Sequence, residues 1–112
     1  MKPETAVSRL GALAQETRLA IFRLLVQKGP EGLCVGDVQA RLKLAAPTLS
    51  FHLKELTNAG LLRPRQDGRF IYYAPDFGAM NSLVAYLTDN CCGGEACDTA
   101  CAPTGRIREK AA

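Results

Sequence analysis

A helix with a single leucine stripe, followed directly by a hairpin, constrains the fold of this chain most. The stripe consists of Leu49, Leu53 and Leu56. These positions are i, i+4 and i+7, so one helical face is apolar. The helix should start near Pro47 and is terminated by Asn58-Ala59-Gly60. The segments LLRPRQ and RFIYYA then flank Asp67-Gly68, which is a strong signal for a two-residue β-hairpin. This pairing predicts a small two-stranded sheet beside helices.

Three more helices are predicted before the striped helix and one after the hairpin. Apolar residues recur at helical spacing in 3–14, 17–28 and 35–41. Asp76 can cap a last helix that covers 77–90. A short helix, a tight turn, a second helix and a basic hairpin together make a winged helix-turn-helix. We therefore predict an α+β, mostly α fold of this type.

Length and composition limit the domain organisation. With 112 residues, 47% of them hydrophobic, the chain can form one globular domain and is too apolar for intrinsic disorder. We expect a DNA-binding and dimerisation domain in 1–92 and a flexible, cysteine-containing tail in 93–112. The longest apolar stretch, LAIFRLLV, contains Arg23 and is too short for a membrane span. The first ten residues lack an apolar signal core, so we expect a cytoplasmic protein.

Charge differs strongly between segments of the chain. Residues 41–75 carry six basic side chains against two acidic ones, whereas residues 76–101 carry four acidic side chains and no Lys or Arg. A basic middle suits a polyanion, and an acidic, thiol-rich end does not. The two regions are therefore expected to bind different partners.

The exposed side of the striped helix is the predicted DNA reader. An α-helix fits the major groove, and residues near its N-terminus reach base edges. Thr48 and Ser50 are short hydrogen-bonding side chains in that location, so they are candidates for base or phosphate contacts. Lys54 is placed for a phosphate. His52 can donate to a phosphate or bond the neighbouring backbone, and both roles stay open.

The hairpin carries three arginines that can straddle a phosphate backbone or enter a minor groove: Arg63, Arg65 and Arg69. Considered singly, these arginines could simply be solvated on a surface strand, but the neighbouring helix-turn-helix favours contact with DNA. We predict Arg69 as the DNA-binding residue of the hairpin. Binding should then weaken steeply with salt, because each neutralised phosphate releases counterions. On the second strand we expect Phe70 and Tyr72 to pack on the helices, with Ile71 and Tyr73 on the other face.

Four of the five cysteines lie within eleven residues, in NCCGGEACDTAC. Structural disulfides are unlikely in a reducing compartment. Cys91 and Cys92 end the last helix, and Gly93-Gly94 allows Cys97 to fold back. The sole histidine lies in the DNA reader, so an imidazole-containing zinc site is disfavoured, and an all-sulfur site selects soft ions. Trivalent arsenic or antimony binds three thiolates on one side of a pyramid, which is the number these cysteines offer.

Other interpretations of the cluster remain open. The cysteines could be incidental, or Cys101 could join them in a four-thiolate site for zinc or another thiophilic divalent ion. An iron–sulfur cluster and a redox disulfide switch are further options, and spacing alone does not separate them. An enzyme such as a thiol reductase would need Cys-x-x-Cys or an electropositive loop, and neither is present. We therefore predict a protein that is not an enzyme.

The last helix also predicts a homodimer. Its apolar residues at steps of three and four are Phe77, Met80, Val84, Leu87 and Cys91. A second apolar edge is formed by Leu83 and Tyr86, so one face can pack on the domain and the other can meet a partner helix. Two-fold symmetry would present two reading helices to half-sites one turn apart.

Three segments resemble the ArsR/SmtB family of metal-sensing winged-helix repressors: ALAQETRLAIFRLL, PTLSFHLKELTNAGLLR and DGRFIYYAP. The similarity runs from about residue 8 to residue 92. It implies a homodimer that binds palindromic operator DNA and leaves it when an inducer binds, without an organic cofactor.

The resemblance also bears on the thiols. Known arsenic sensors of this family carry Cys-Val-Cys-Asp-Leu before the recognition helix, but here LCVGDV keeps Cys34 and has Gly36 in place of the second thiol. Cys34 is therefore expected to be a small core residue. Other arsenic-responsive members place two vicinal cysteines and a third at the end of the last helix, as Cys91, Cys92 and Cys97 are placed. The resemblance thus implies an arsenite-responsive repressor, with methylarsenite, a divalent ion such as Cd²⁺ or Zn²⁺, or a thiol redox switch as alternatives.

Overall fold

A computed structural model describes residues 1–94, in which five α-helices pack around a three-stranded antiparallel sheet. The helices are α1 (Pro3–Leu13), α2 (Glu16–Lys28), α3 (Val35–Leu42), α4 (Ala46–Asn58) and α5 (Phe77–Leu87). The strands are β1 (Leu33–Cys34), β2 (Leu62–Asp67) and β3 (Phe70–Pro75). A short 3-10 turn, Cys91–Gly94, follows α5. Within this part of the chain, none of the helices is long and apolar enough to cross a membrane.

The core forms where α2 and α4 meet the start of the sheet. The fully buried side chains are Ile21, Leu25, Val38, Leu49, Leu56 and Leu61. The predicted leucine stripe is confirmed, since Leu49 and Leu56 are fully buried and Leu53, between them, is only 2% exposed. Burying one such side chain contributes about 1.5–3 kcal/mol. The stripe therefore fixes which face of α4 points away from the domain.

The predicted helix-turn-helix is present, with α3 as its first helix and α4 as its second. Lys43 leaves α3 in the left-handed conformation, at φ 54° and ψ 48°, and its N–H bonds the Gln39 carbonyl. This αL residue closes the helix end and turns the chain sharply. Pro47 lies in the first turn of α4, where its missing N–H is not needed.

The sheet has one strand more than the sequence predicted. β1 pairs with β3, with Leu33 opposite Tyr73, so the strand order is β1-β3-β2. A strand of two residues is too short to show an alternating pattern, which is why periodicity missed it. Gly32 precedes it at φ +74°, and an added Cβ there would lie 2.4 Å from the Tyr73 carbonyl oxygen. Only glycine allows the chain to approach β3 this closely.

The hairpin is confirmed, but its loop lies one residue later than predicted. Asp67 pairs with Phe70, so the two loop residues are Gly68 and Arg69. Gly68 has φ +63° and occupies the first loop position, as in a type II′ turn. The predicted loop of Asp67 and Gly68 would need positive φ at both residues in a type I′ turn, which is costlier for aspartate.

The predicted faces of β3 are wrong. Phe70 is 58% exposed, whereas Tyr73 packs against the core, and Ile71 lies with Tyr73 beside α4. Both faces of this strand carry an aromatic residue, so alternation alone could not decide between them. The pairing of Tyr73 with buried Leu33 decides it.

The last helix starts as predicted and ends three residues early. The Asp76 carboxylate accepts the Ala79 N–H at 3.0 Å and caps α5. At the other end, α5 stops at Leu87, and Asn90 adopts φ 58°, which is incompatible with a continuing right-handed helix. Cys91 and Cys92 therefore lie in a separate turn rather than on the helix.

Candidate DNA-binding surface and thiol site

Three of the predicted DNA contacts are exposed on α4. Thr48, Ser50 and Lys54 all lie outside the buried leucine stripe, with Ser50 on its flank. Thr48 and Ser50 belong to the first turns of the helix, and Lys54 lies one turn further on. The N-terminal half of this second helix is the part that reaches bases in helix-turn-helix proteins. Their contacts with DNA remain predictions.

His52 does not share that exposure, because the residue is only 9% exposed. Its Nδ1 lies 3.4 Å from a terminal guanidinium nitrogen of Arg18. With its ring turned inward, His52 cannot reach a phosphate in this conformation. Of the two roles left open by the sequence, the geometry favours the structural one.

Arg18 is a residue that sequence analysis did not single out. Its Nε donates to the Ala12 carbonyl at 2.7 Å, and its backbone N–H donates to the Gln15 side-chain oxygen at 2.8 Å. The Arg18 side chain therefore joins the end of α1 to His52 on α4, while its backbone N–H bonds the residue that caps α2. Arg18 lies within ALAQETRLAIFRLL, one of the three segments that carry the family resemblance. That segment was the one sequence signal that could have pointed to this arginine.

A second arginine connects α1 with the far end of α4. The Arg9 Nε donates to the Ala59 carbonyl at 3.1 Å. A helix leaves its last carbonyl groups without partners, and basic side chains near the C-terminus satisfy them favourably. Arg9 and Arg18 thus hold α1 to α4 at two points.

A groove separates α4 from the hairpin, which forms the wing. It has a volume of about 300 Å³, and its walls include Ser50 and Lys54 from the helix and Ile71 from β3. The groove brings Ser50 and Lys54 of α4 next to Ile71 and Tyr73 of β3. The wing and the helix can therefore contact the same duplex.

The three wing arginines differ in their surroundings. Arg65 stacks 4.7 Å from the centre of the Tyr72 ring, donates to the Glu31 carbonyl at 3.1 Å and lies 3.8 Å from the Asp67 carboxylate. These contacts tie the wing to the loop after α2. Arg63 and Arg69 are exposed, and Arg69 stands in the loop at the wing tip. Arg69 thus has the position expected of a DNA contact, and that role stays a prediction.

The vicinal cysteines bring two sulfur atoms together just after α5. The Sγ atoms of Cys91 and Cys92 are 3.7 Å apart, well beyond the 2.05 Å of a disulfide bond. Cys92 has φ 59° and ψ 33°, in the left-handed region that costs an L-residue roughly 1–2 kcal/mol. The predicted third ligand Cys97 and the alternative Cys101 lie outside the described residues.

Cys34 lies elsewhere in the fold. It is half-buried, pairs with Tyr72 in the sheet and immediately precedes α3. In residues 1–94 there is no group of three or more His, Cys, Asp or Glu side chains arranged to hold a metal ion. A three-thiolate site built on Cys91 and Cys92 would therefore need a ligand from outside that range.

The terminal helices pack together and leave apolar side chains exposed. Val7 and Leu10 on α1 are 68% and 40% exposed, and Val84 and Leu87 on α5 are each 56% exposed. Met80, predicted for the same seam, packs against the core instead. An apolar surface of this kind is typical of an interface. The homodimer remains a prediction that this surface favours.

Comparisons with known proteins agree with this architecture. A helix-turn-helix domain family matches residues 13–65. An uncharacterized HTH-type transcriptional regulator of Methanocaldococcus jannaschii is 36% identical over 72 residues, which are 64% of this chain and 79% of the relative. The arsenical resistance operon repressor of Escherichia coli is 43% identical over 61 residues, 54% of this chain. This match spans only 50% of the length of the E. coli protein.

A solved structure extends the similarity to three dimensions. It is described as a possible transcriptional regulator for arsenical resistance, with a TM-score of 0.62 and 30% identity. The match covers 81% of this chain and 98% of that one. With the helix-turn-helix, the wing and the matching segments in place, this chain belongs to the ArsR/SmtB family of winged helix-turn-helix transcriptional regulators.

Proposed function

We propose that this chain is a homodimeric repressor that leaves its operator when trivalent arsenic or antimony binds Cys91, Cys92 and Cys97. The observation that carries the proposal is the pair of sulfur atoms 3.7 Å apart directly after α5. The arsenical resistance repressor among the relatives supports the choice of a metalloid. No organic cofactor is needed for this activity.

The DNA-binding half of the proposal rests on charge and shape. The segment that contains α4 and the wing has six basic and two acidic side chains, and Lys54 and Arg69 are exposed within it. Duplex DNA is recognised first through its phosphates, and short polar side chains at the start of a helix then reach base edges. Thr48 and Ser50 would provide those base or phosphate contacts.

The distance between the two sulfur atoms allows both of them to bind one and the same thiophilic ion. Two sulfurs each about 2.3 Å from one tetrahedral ion lie about 3.8 Å apart, and a narrower pyramidal angle brings them slightly closer. The measured 3.7 Å needs little adjustment for either geometry. A third thiolate, from Cys97, would complete a pyramidal site for arsenite, whereas methylarsenite would need only two.

A chain of contacts leads from the thiols towards the DNA. Cys91 bonds back to the turn after α5 through its N–H and the Thr88 carbonyl, and α5 packs on α1. From α1, Arg9 and Arg18 lead to α4 as described above. We propose that ion capture shifts α5 and α1 at the dimer seam and so changes the spacing of the two reading helices. A hundredfold loss of DNA affinity requires a coupling free energy of about 2.7 kcal/mol.

The test is DNA release by fluorescence anisotropy, with a labelled duplex that the wild-type chain selects from a random library. Arsenite should release the wild-type chain from the duplex. Cys91→Ser and Cys92→Ser should bind the duplex normally and stay bound when arsenite is added. Cys34→Ser serves as the matched control and should respond like the wild type. Release of both serine variants by arsenite would contradict the proposed site.

The same assay separates the alternative inducers. Methylarsenite as inducer predicts that Cys97→Ser still responds, because two thiolates suffice. A divalent ion predicts release by Cd²⁺ or Zn²⁺ and dependence on Cys101. A redox switch predicts release by an oxidant without any ion and recovery with a reducing agent.

A further inference from the structure

Phe51 is an aromatic side chain that lies outside the buried core of residues 1–94. It is 56% exposed, on a helix whose other side carries fully buried leucines. At 100° per residue, Phe51 lies about 170° from the centre of the leucine stripe. It therefore projects straight out of the domain from α4, between Thr48 and Lys54 on the same side.

The ring of Phe51 also has a support. It meets the His52 ring edge-on, with centroids 5.4 Å apart and an interplanar angle of 63°. His52 is itself buried and close to Arg18, so the supporting ring is fixed to the domain. Edge-to-face contacts of this kind are favourable and restrict rotation. Phe51 is thus presented to the outside in a restricted orientation.

We propose that Phe51 is a specificity-determining residue that reads the C5-methyl group of a thymine in each operator half-site. The proposal rests on the proposed function, because it assumes that α4 enters the major groove. In that groove, thymine is the base that carries an apolar group, and Phe is a side chain that packs against it. Because the Phe51 side chain has no hydrogen-bonding group, it can distinguish thymine from the other bases only through the C5-methyl group. Thr48 and Ser50 supply the polar contacts.

Deoxyuridine isolates this contact, because it removes the thymine methyl and leaves every hydrogen-bonding group of the base in place. The wild-type chain first selects a duplex from a random library, and each thymine of that duplex is then replaced by deoxyuridine in turn. At the position that Phe51 reads, we expect affinity to fall about fourfold per half-site, and about fifteenfold when both half-sites are changed.

Substitution assigns the effect to the side chain. Phe51→Ala should bind the thymine and deoxyuridine duplexes equally, and Phe51→Leu should keep part of the preference. Because the side chain is exposed, both variants should fold, as circular dichroism will verify. Phe70→Ala is the matched control, since Phe70 is 58% exposed on the wing and its loss should leave the fourfold preference unchanged.

The outcomes separate this inference from the function on which it rests. A wild-type chain that selects no duplex would overturn the DNA-binding proposal and this inference with it. Tight binding that ignores deoxyuridine at every position would overturn only the role of Phe51. A preference for thymine that persists in Phe51→Ala would do the same.

Discussion

Two contacts of Arg18, with the Ala12 carbonyl and with His52, make this arginine important for the stability of the fold. Arg18→Met keeps most of the apolar stem and removes the guanidinium. The change deletes the 2.7 Å hydrogen bond from Nε to the Ala12 carbonyl and the 3.4 Å contact with His52 Nδ1. Ala12 is 9% exposed and His52 is equally buried, so water replaces these partners poorly.

The expected cost follows from these two contacts. A buried acceptor left without its donor costs about 1–3 kcal/mol, and the longer contact to His52 contributes at the low end of the net range, about 0.5 kcal/mol. Together they lower the free energy of unfolding by about 2 kcal/mol. For a domain of this size, 1 kcal/mol corresponds to about 4–8 °C in Tm, so Tm should fall by roughly 10 °C.

Thermal unfolding followed by circular dichroism measures this loss. Arg23→Met on the same helix is the control, because Arg23 is exposed and its replacement should cost less than about 0.5 kcal/mol. A double-mutant cycle with His52→Leu then isolates the pair, with an expected coupling of about 0.5 kcal/mol. If Arg18→Met and Arg23→Met unfold at the same temperature, the reasoning is wrong.

Three further predictions test the surface, the sheet and the dimer. Lys54→Ala should make the fall of log affinity with log salt less steep, by about one unit of slope for each half-site contact that is lost. Fluorescence anisotropy at several salt concentrations measures this slope, and an unchanged slope would exclude a phosphate contact. Gly32→Ala should cost about 3 kcal/mol in urea unfolding, because its Cβ would collide with the Tyr73 carbonyl at positive φ. Gly36→Ala, which has open space in α3, should instead be neutral or slightly stabilising. Leu87→Glu should convert a dimer to a monomer in sedimentation velocity, and an unchanged sedimentation coefficient would place the dimer seam elsewhere.

The helices were the most predictable part of the fold, because their signals are local. The leucine stripe set the buried face of α4, and Pro47 and Asn58 bounded it to within one residue. Asp76 predicted the start of α5 through a cap that depends on residues three positions apart. Such signals survive without knowledge of the tertiary structure.

The sheet was less predictable, since its details depend on distant partners. β1 has two residues and exists because Leu33 pairs with Tyr73, forty positions away. The same pairing chooses the inward face of β3, where alternation offered two aromatic faces of similar quality. The loop position depended on which turn type could accept Gly68 as its only residue with positive φ.

His52 shows most directly why the sequence predicted only part of the candidate site, since its burial was not predicted. On the helical wheel it lies about 70° from the centre of the leucine stripe, at the border between the buried and exposed faces. A polar residue at such a border is exposed unless a partner compensates its burial. That partner is Arg18, thirty-four positions earlier, and it approaches α4 because α1 and α2 pack there. The leucine stripe alone places Phe51 on the outside of α4. The fixed His52 ring that supports Phe51 depends instead on the long-range contact with Arg18, which no local pattern contains.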